Sequence, residues 1–100
     1  MTNKEFLQRY DSNNPKFTKG EIKDMAYGEF GNYVTTVEGN TRRWVQEVET
    51  IFEVGSRLFA ISWDRGLTEM QENDFDYAEV YEVKRKERVI FDYVRKDTHD

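Results

Sequence analysis

The hydrophobic period changes near Asn32, and nothing else in the chain limits the fold as much. Before that point apolar residues recur at helical spacing. Phe6, Leu7 and Tyr10 share one side of a segment that Thr2 or Asn3 caps. Asp11-Ser-Asn-Asn-Pro15 then breaks it, because Pro15 restricts the residue before it and the Asn/Ser run favours turns. Thr18-Lys-Gly-Glu21 is a capping box, followed by Ile22, Met25 and Ala26, with Gly28 as the stop.

After Asn32 the period is two. Tyr33 to Val37 is β-branched and strand-like, and Gly39-Asn40 suits a two-residue hairpin turn. Arg43 to Phe52 places Trp44, Val48 and Phe52 on one face and Val45 and Ile51 on the other. Val54-Gly55-Ser56 reverses the chain into Arg57 to Trp63, whose Phe59, Ile61 and Trp63 share a face. Thr68-Glu-Met-Gln71 repeats the capping-box pattern, so a short helix is expected near 68–76 with Met70 and Phe75 inward. Glu79 to Lys84 and Arg88 to Val94 complete the set as a hairpin about a charged turn.

The expected object is one α+β domain spanning residues 1–100. Residues 1–30 form its helical part, 32–95 a five-stranded antiparallel sheet, and 96–100 a flexible tail. A helix between strands three and four is also the order of an OB-type barrel, so the sheet is expected to be curled or barrel-like. Aromatics make up 15% of the 100 residues against an apolar share of 37%. The core therefore draws on large rings, including Trp44, Phe59, Trp63, Phe91 and Tyr93.

The formal net charge of −5 is unevenly spread. Residues 64–82 hold seven acids and one base, and the rest of the chain is close to neutral. A generic nucleic-acid binder presents a basic face instead. With no cysteine there is neither a disulfide framework nor a thiolate site. The first ten residues lack the apolar run of a signal peptide, and no segment is long and apolar enough to span a membrane. A cytoplasmic protein is expected.

Catalysis finds little support. The one histidine, His99, is second from the C-terminus, and Gly28-Glu-Phe-Gly31 has neither the spacing nor the preceding strand of a phosphate loop. Asp74-Phe-Asp76 is a fragment of a calcium loop without its central glycine. No catalytic residue, metal or cofactor is expected. The acidic stretch is instead a candidate partner-binding surface, carried by Glu69, Glu72, Asp74, Asp76 and Glu79. The alternative is an OB-like single-strand binder using Arg42, Arg43, Lys84, Arg85, Lys86 and Arg88 with an aromatic face. A chain this rich in aromatics can also hide a homodimer interface among residues assigned to the core.

Phe52 to Val83 resembles a segment of small uncharacterised proteins from phages and mobile elements of Gram-positive bacteria. The resemblance rests on Gly55, Phe59, Trp63, Gly66-Leu67-Thr68-Glu69, Gln71-Glu72 and Phe75. It implies an accessory protein that binds a host protein, such as a nucleic-acid-handling or defence enzyme, in the bacterial cytoplasm. It carries no activity with it. It also implies that Gly66 turns the chain through positive φ, that Leu67 staples the following helix, and that Thr68 and Gln71 close its start.

Overall fold

The computed structural model describes residues 1–12 and 15–96. Two helices precede four strands: α1 (Asn3–Tyr10), α2 (Lys19–Ala26), β1 (Asn32–Arg42), β2 (Val45–Val54), β3 (Arg57–Gly66) and β4 (Asp74–Val83). The strands form one antiparallel sheet in the order β1-β2-β3-β4, a plain meander with β1 and β4 as its edges. The sheet is open, not a barrel.

Both helices begin as their sequences dictate. Thr2 accepts the Glu5 amide at the start of α1. At α2 the capping box is complete: the Thr18 hydroxyl accepts the Glu21 amide and the Glu21 carboxylate accepts the Thr18 amide. Arg9 donates twice to Glu21, at 2.7 and 2.9 Å, and so ties the two helices together.

The core lies between the helices and one face of the sheet. Alternation sends Val48, Phe52 and Val54 of β2 and Phe59, Ile61 and Trp63 of β3 to that face. There they meet Phe6, Met25, Ala26 and Phe30. Phe6 is the hub: its ring lies 4.8 Å from that of Phe59, 5.3 Å from Phe30 and 5.7 Å from Phe52. Thr50 is fully buried among these rings, and both halves of its hydroxyl are used. It donates to the Ala26 carbonyl at 2.6 Å and accepts the Trp63 indole N–H at 3.1 Å. A polar residue is tolerated here because each group it touches is satisfied.

Several expectations are corrected. The first hairpin turn is at Arg43-Trp44, with Arg43 at φ 47°, and Gly39-Asn40 lies within a bulge of β1. The reason is backbone pairing. A turn at Gly39-Asn40 would set Val48 opposite Gly31 and leave the end of β2 without a β1 partner. The observed register pairs Asn32 with Glu53 and runs to Arg42 with Val45, so β2 is bonded along its length. Trp44 consequently sits at the turn, 62% exposed, and not in the core.

The helix expected near 68–76 is absent. The Gln71 amide donates to the Thr68 carbonyl at 3.1 Å, one turn only, and Met70 is exposed. Met70 and Phe75, five residues apart, cannot share a helical face, and only Phe75 goes inward. Asn73 sets the loop instead, accepting the Gly66 amide at 2.9 Å and donating to the Tyr27 hydroxyl at 3.0 Å. Gly66 does not adopt positive φ. It is needed because a Cβ there would strike the Gln71 carbonyl as the loop returns. Leu67 staples no helix and is exposed.

The fifth strand is also absent: among the described residues Arg88 to Val94 has no strand partner, and Phe91 and Tyr93 are exposed rather than core. The outer edge of β4 explains part of this. The Glu82 amide there donates to the Tyr10 hydroxyl at 2.8 Å, so α1 occupies the position where a returning hairpin would begin. His99 and most of the expected tail at 96–100 lie outside the described residues.

Candidate functional site

The five acids expected to form one surface are divided by the fold. Glu69 and Glu72 are on the exposed loop between β3 and β4. Glu72 and Asp76 line a cleft of about 360 Å³ together with Lys19 and Lys23 of α2, so their charge is locally opposed. Asp74 accepts the Asp76 amide at 2.8 Å and borders this cleft as well as a second groove. Glu79 stands opposite Ser62 on the other face of the sheet.

That second face, turned away from both helices, gathers the carboxylates. Alternation along β2 directs Glu47, Glu49 and Glu53 to it, with Asp64 from β3 and Glu79 from β4. A groove of about 430 Å³ runs between Glu47, Glu49, Asp64, Asp74 and Tyr77. Beside it lie the half-buried Ile51, Leu58 and Tyr81 and the fully buried Ala60. The result is a small apolar strip edged by acids. Arg42 contributes a cation to this face, and it is already bound: it reaches both Asp64 oxygens at 3.2 Å and Glu47 at 3.5 Å.

Tyr81 senses this surroundings. Burial, together with the Glu49 and Glu79 carboxylates, opposes formation of a phenolate and pushes its pKa up to about 12. Arg57, on the helix side of β3, makes paired bonds of 2.9–3.0 Å to both Asp11 and Glu82, and its hydrogen bonds hold both acids below their ordinary range. The Thr18 amide lowers Glu21, and Arg65 lowers Glu38. These pairs fasten helices and strands; on the open face Arg42 engages Asp64 and Glu47, while Glu53 and Glu79 make no ion pair among the described residues.

The six bases of the nucleic-acid alternative do not form one patch. Arg42 and Arg43 are at the β1–β2 turn, beside the end of β3. Lys84, Arg85, Lys86 and Arg88 follow Val83, which pairs with Leu58 at the opposite end of the sheet. Strands of this length separate the two groups by roughly 30 Å. Among the described residues no three His, Cys, Asp or Glu side chains are placed to hold a metal ion. No described helix is long and apolar enough to cross a membrane.

Glu47, Glu49, Glu53 and Asp64 are the site residues that sequence reasoning missed. Their signal was present in Val45-Gln-Glu-Val-Glu-Thr-Ile-Phe-Glu-Val54, where three acids fall at alternate positions opposite Val48 and Phe52. Charge density along the chain drew attention to residues 64–82, but β pairing assembles charge across strands. Comparison of the chain with protein-family models, with curated proteins and with solved structures returned no match.

Proposed function

We propose that this chain is a non-enzymatic binding protein whose open, acid-rich sheet face engages a basic surface of a partner protein. Its setting is that of an accessory protein of a phage or mobile element, and its target a host protein. A nucleic-acid-handling or defence enzyme is the natural candidate, since carboxylates in rows on adjacent strands offer the charge pattern of a phosphate backbone to a cationic groove.

One observation carries this reading: Glu47, Glu49, Glu53, Asp64 and Glu79 converge on the face that no helix covers, around an apolar strip. Such a face combines a desolvatable centre with a charged rim, the anatomy of a protein interface. The loop acids Glu69 and Glu72 stand outside it, so the contact is assigned to β2, β3 and β4, with Asp74 and Glu79 retained from the original five.

The test is affinity capture from a Gram-positive host lysate with three baits: wild type, E49K/E53K/E79K, and E69K/E72K/D76K. The expected result is a partner held by wild type and the loop variant and lost by the folded sheet variant. Loss only with the loop variant would move the surface to the connector. Equal capture by all three would end the proposal.

A further inference from the structure

The segment after β4 has the chemistry of a strand but no sheet to join. Lys84 to Lys96 carries six bases (Lys84, Arg85, Lys86, Arg88, Arg95 and Lys96) against two acids. Within it, Val89-Ile-Phe-Asp-Tyr-Val94 is rich in β-branched and aromatic residues. Its apolar members are 73–94% exposed. The chain is extended as a consequence: its radius of gyration is 18.0 Å and its longest dimension 63 Å. A compact domain of this length has a radius of about 13 Å. An exposed, β-prone apolar run is a pairing site in waiting.

The sheet offers two edges. β1 is close to neutral and is interrupted by bulges between Tyr33 and Thr35 and between Glu38 and Thr41, which hinder addition of a further strand. β4 carries Asp74, Asp76, Glu79 and Glu82 and no base, and with Glu82 paired to Arg57 the other three complement the bases that flank Val89–Val94, namely Arg88, Arg95 and Lys96. Its one register shift lies near its start, between the partners Ser62 and Asp64.

The segment is poorly placed to add to its own β4. A hairpin would begin its pairing at Glu82 and Val83, where the Tyr10 hydroxyl holds the Glu82 amide and Arg57 binds the Glu82 carboxylate. A strand arriving from another molecule needs no turn there and can pair further along, beside Asp76 to Tyr81.

We propose that Arg88–Val94 of one copy adds as a fifth strand to the outer edge of β4 in a second copy, and that the exchange is reciprocal. The arrangement is isologous: each copy gives a segment and receives one, with residues 84–87 as the crossing. It rests on the β4 edge, not on the open acidic face, and the variants below leave Glu49, Glu53 and Glu79 intact.

The test is light scattering on size-fractionated full-length protein at increasing concentration, paired with amide hydrogen exchange. Wild type is compared with V89K/F91K and with the uncharged V89T/F91S. These side chains lie outside the core, and circular dichroism confirms that each variant is folded. The expected result is a wild-type dimer with slow exchange across residues 88–94 and a dissociation constant raised on the order of tenfold or more by either variant. A monomer with slow exchange in 88–94 would mean that the strand folds back within its own chain, overturning the exchange. A monomer with fast exchange there, or a dimer that both variants leave unchanged, would overturn it equally.

Discussion

Phe52 and Ile51 are neighbours in β2, yet they belong to different chemical worlds. Phe52 is fully buried against Phe6, Phe30 and Phe59. Ile51 is half-buried on a face edged by carboxylates. The chain has few aliphatic residues to spend, and it concentrates its rings on one side of the sheet. The core side is held by packing, while the other side is free to be selected for charge. The contrast separates what maintains the fold from what is available for recognition.

The largest expected effect tests that separation directly. Phe52→Ala removes a ring from the close-packed side and should cost about 3–5 kcal/mol, a large share of the stability of a small domain. Ile51→Ala, one residue away, should cost about 1 kcal/mol, because its side chain is partly in water already. Urea denaturation of both variants gives the comparison. Equal losses would mean that the open face is a second core and that the helices are not the principal packing partners of the sheet.

Thr50→Val comes next. The substitution keeps shape but strips the hydroxyl that joins the Ala26 carbonyl to the Trp63 indole. Two buried groups then lose a partner, at a cost of about 1–3 kcal/mol. Thermal unfolding would show it, and an unchanged midpoint would mean that water replaces the hydroxyl.

Phe52 and Trp63 were legible in the sequence because they obey local rules, whereas the buried Thr50 between them was not foreseen. The α2 capping box, the alternation of Phe59, Ile61 and Trp63 and the inward Phe75 each follow from a short window and appear as expected. What misled was any feature whose outcome depends on a distant partner. Gly39-Asn40 is a good turn in isolation, yet full pairing of β2 outweighs it. Thr68-Glu-Met-Gln71 can begin a helix, but Asn73 draws the loop back to Gly66 and Tyr27. Arg88–Val94 is strand-like, and whether it pairs depends on an edge that Tyr10 partly occupies. The acidic face was hidden for the same reason, since Glu49 and Glu79 meet only once β2, β3 and β4 are in register.

The smallest expected effect examines the field on the open face itself. Tyr81 there has its pKa pushed up to about 12 from an ordinary 10.0. The folded protein therefore holds the phenolic proton more tightly than the unfolded chain does. That contribution to stability is complete below the ordinary value and is lost as pH rises through the folded one. Burial is the leading cause, and the Glu49 and Glu79 carboxylates add to it. Glu49→Gln should lower the Tyr81 midpoint yet leave it above that of a free tyrosine, since the burial remains. Ultraviolet titration of tyrosinate, taken as the difference from Tyr81→Phe, isolates this residue among the six tyrosines of the chain. A midpoint indifferent to Glu49 would leave burial and Glu79 as the causes and show that the β2 carboxylate does not act on Tyr81. A downward shift would demonstrate that a carboxylate of β2 acts across β3 on a group of β4, the reach that a field felt by a cationic partner requires.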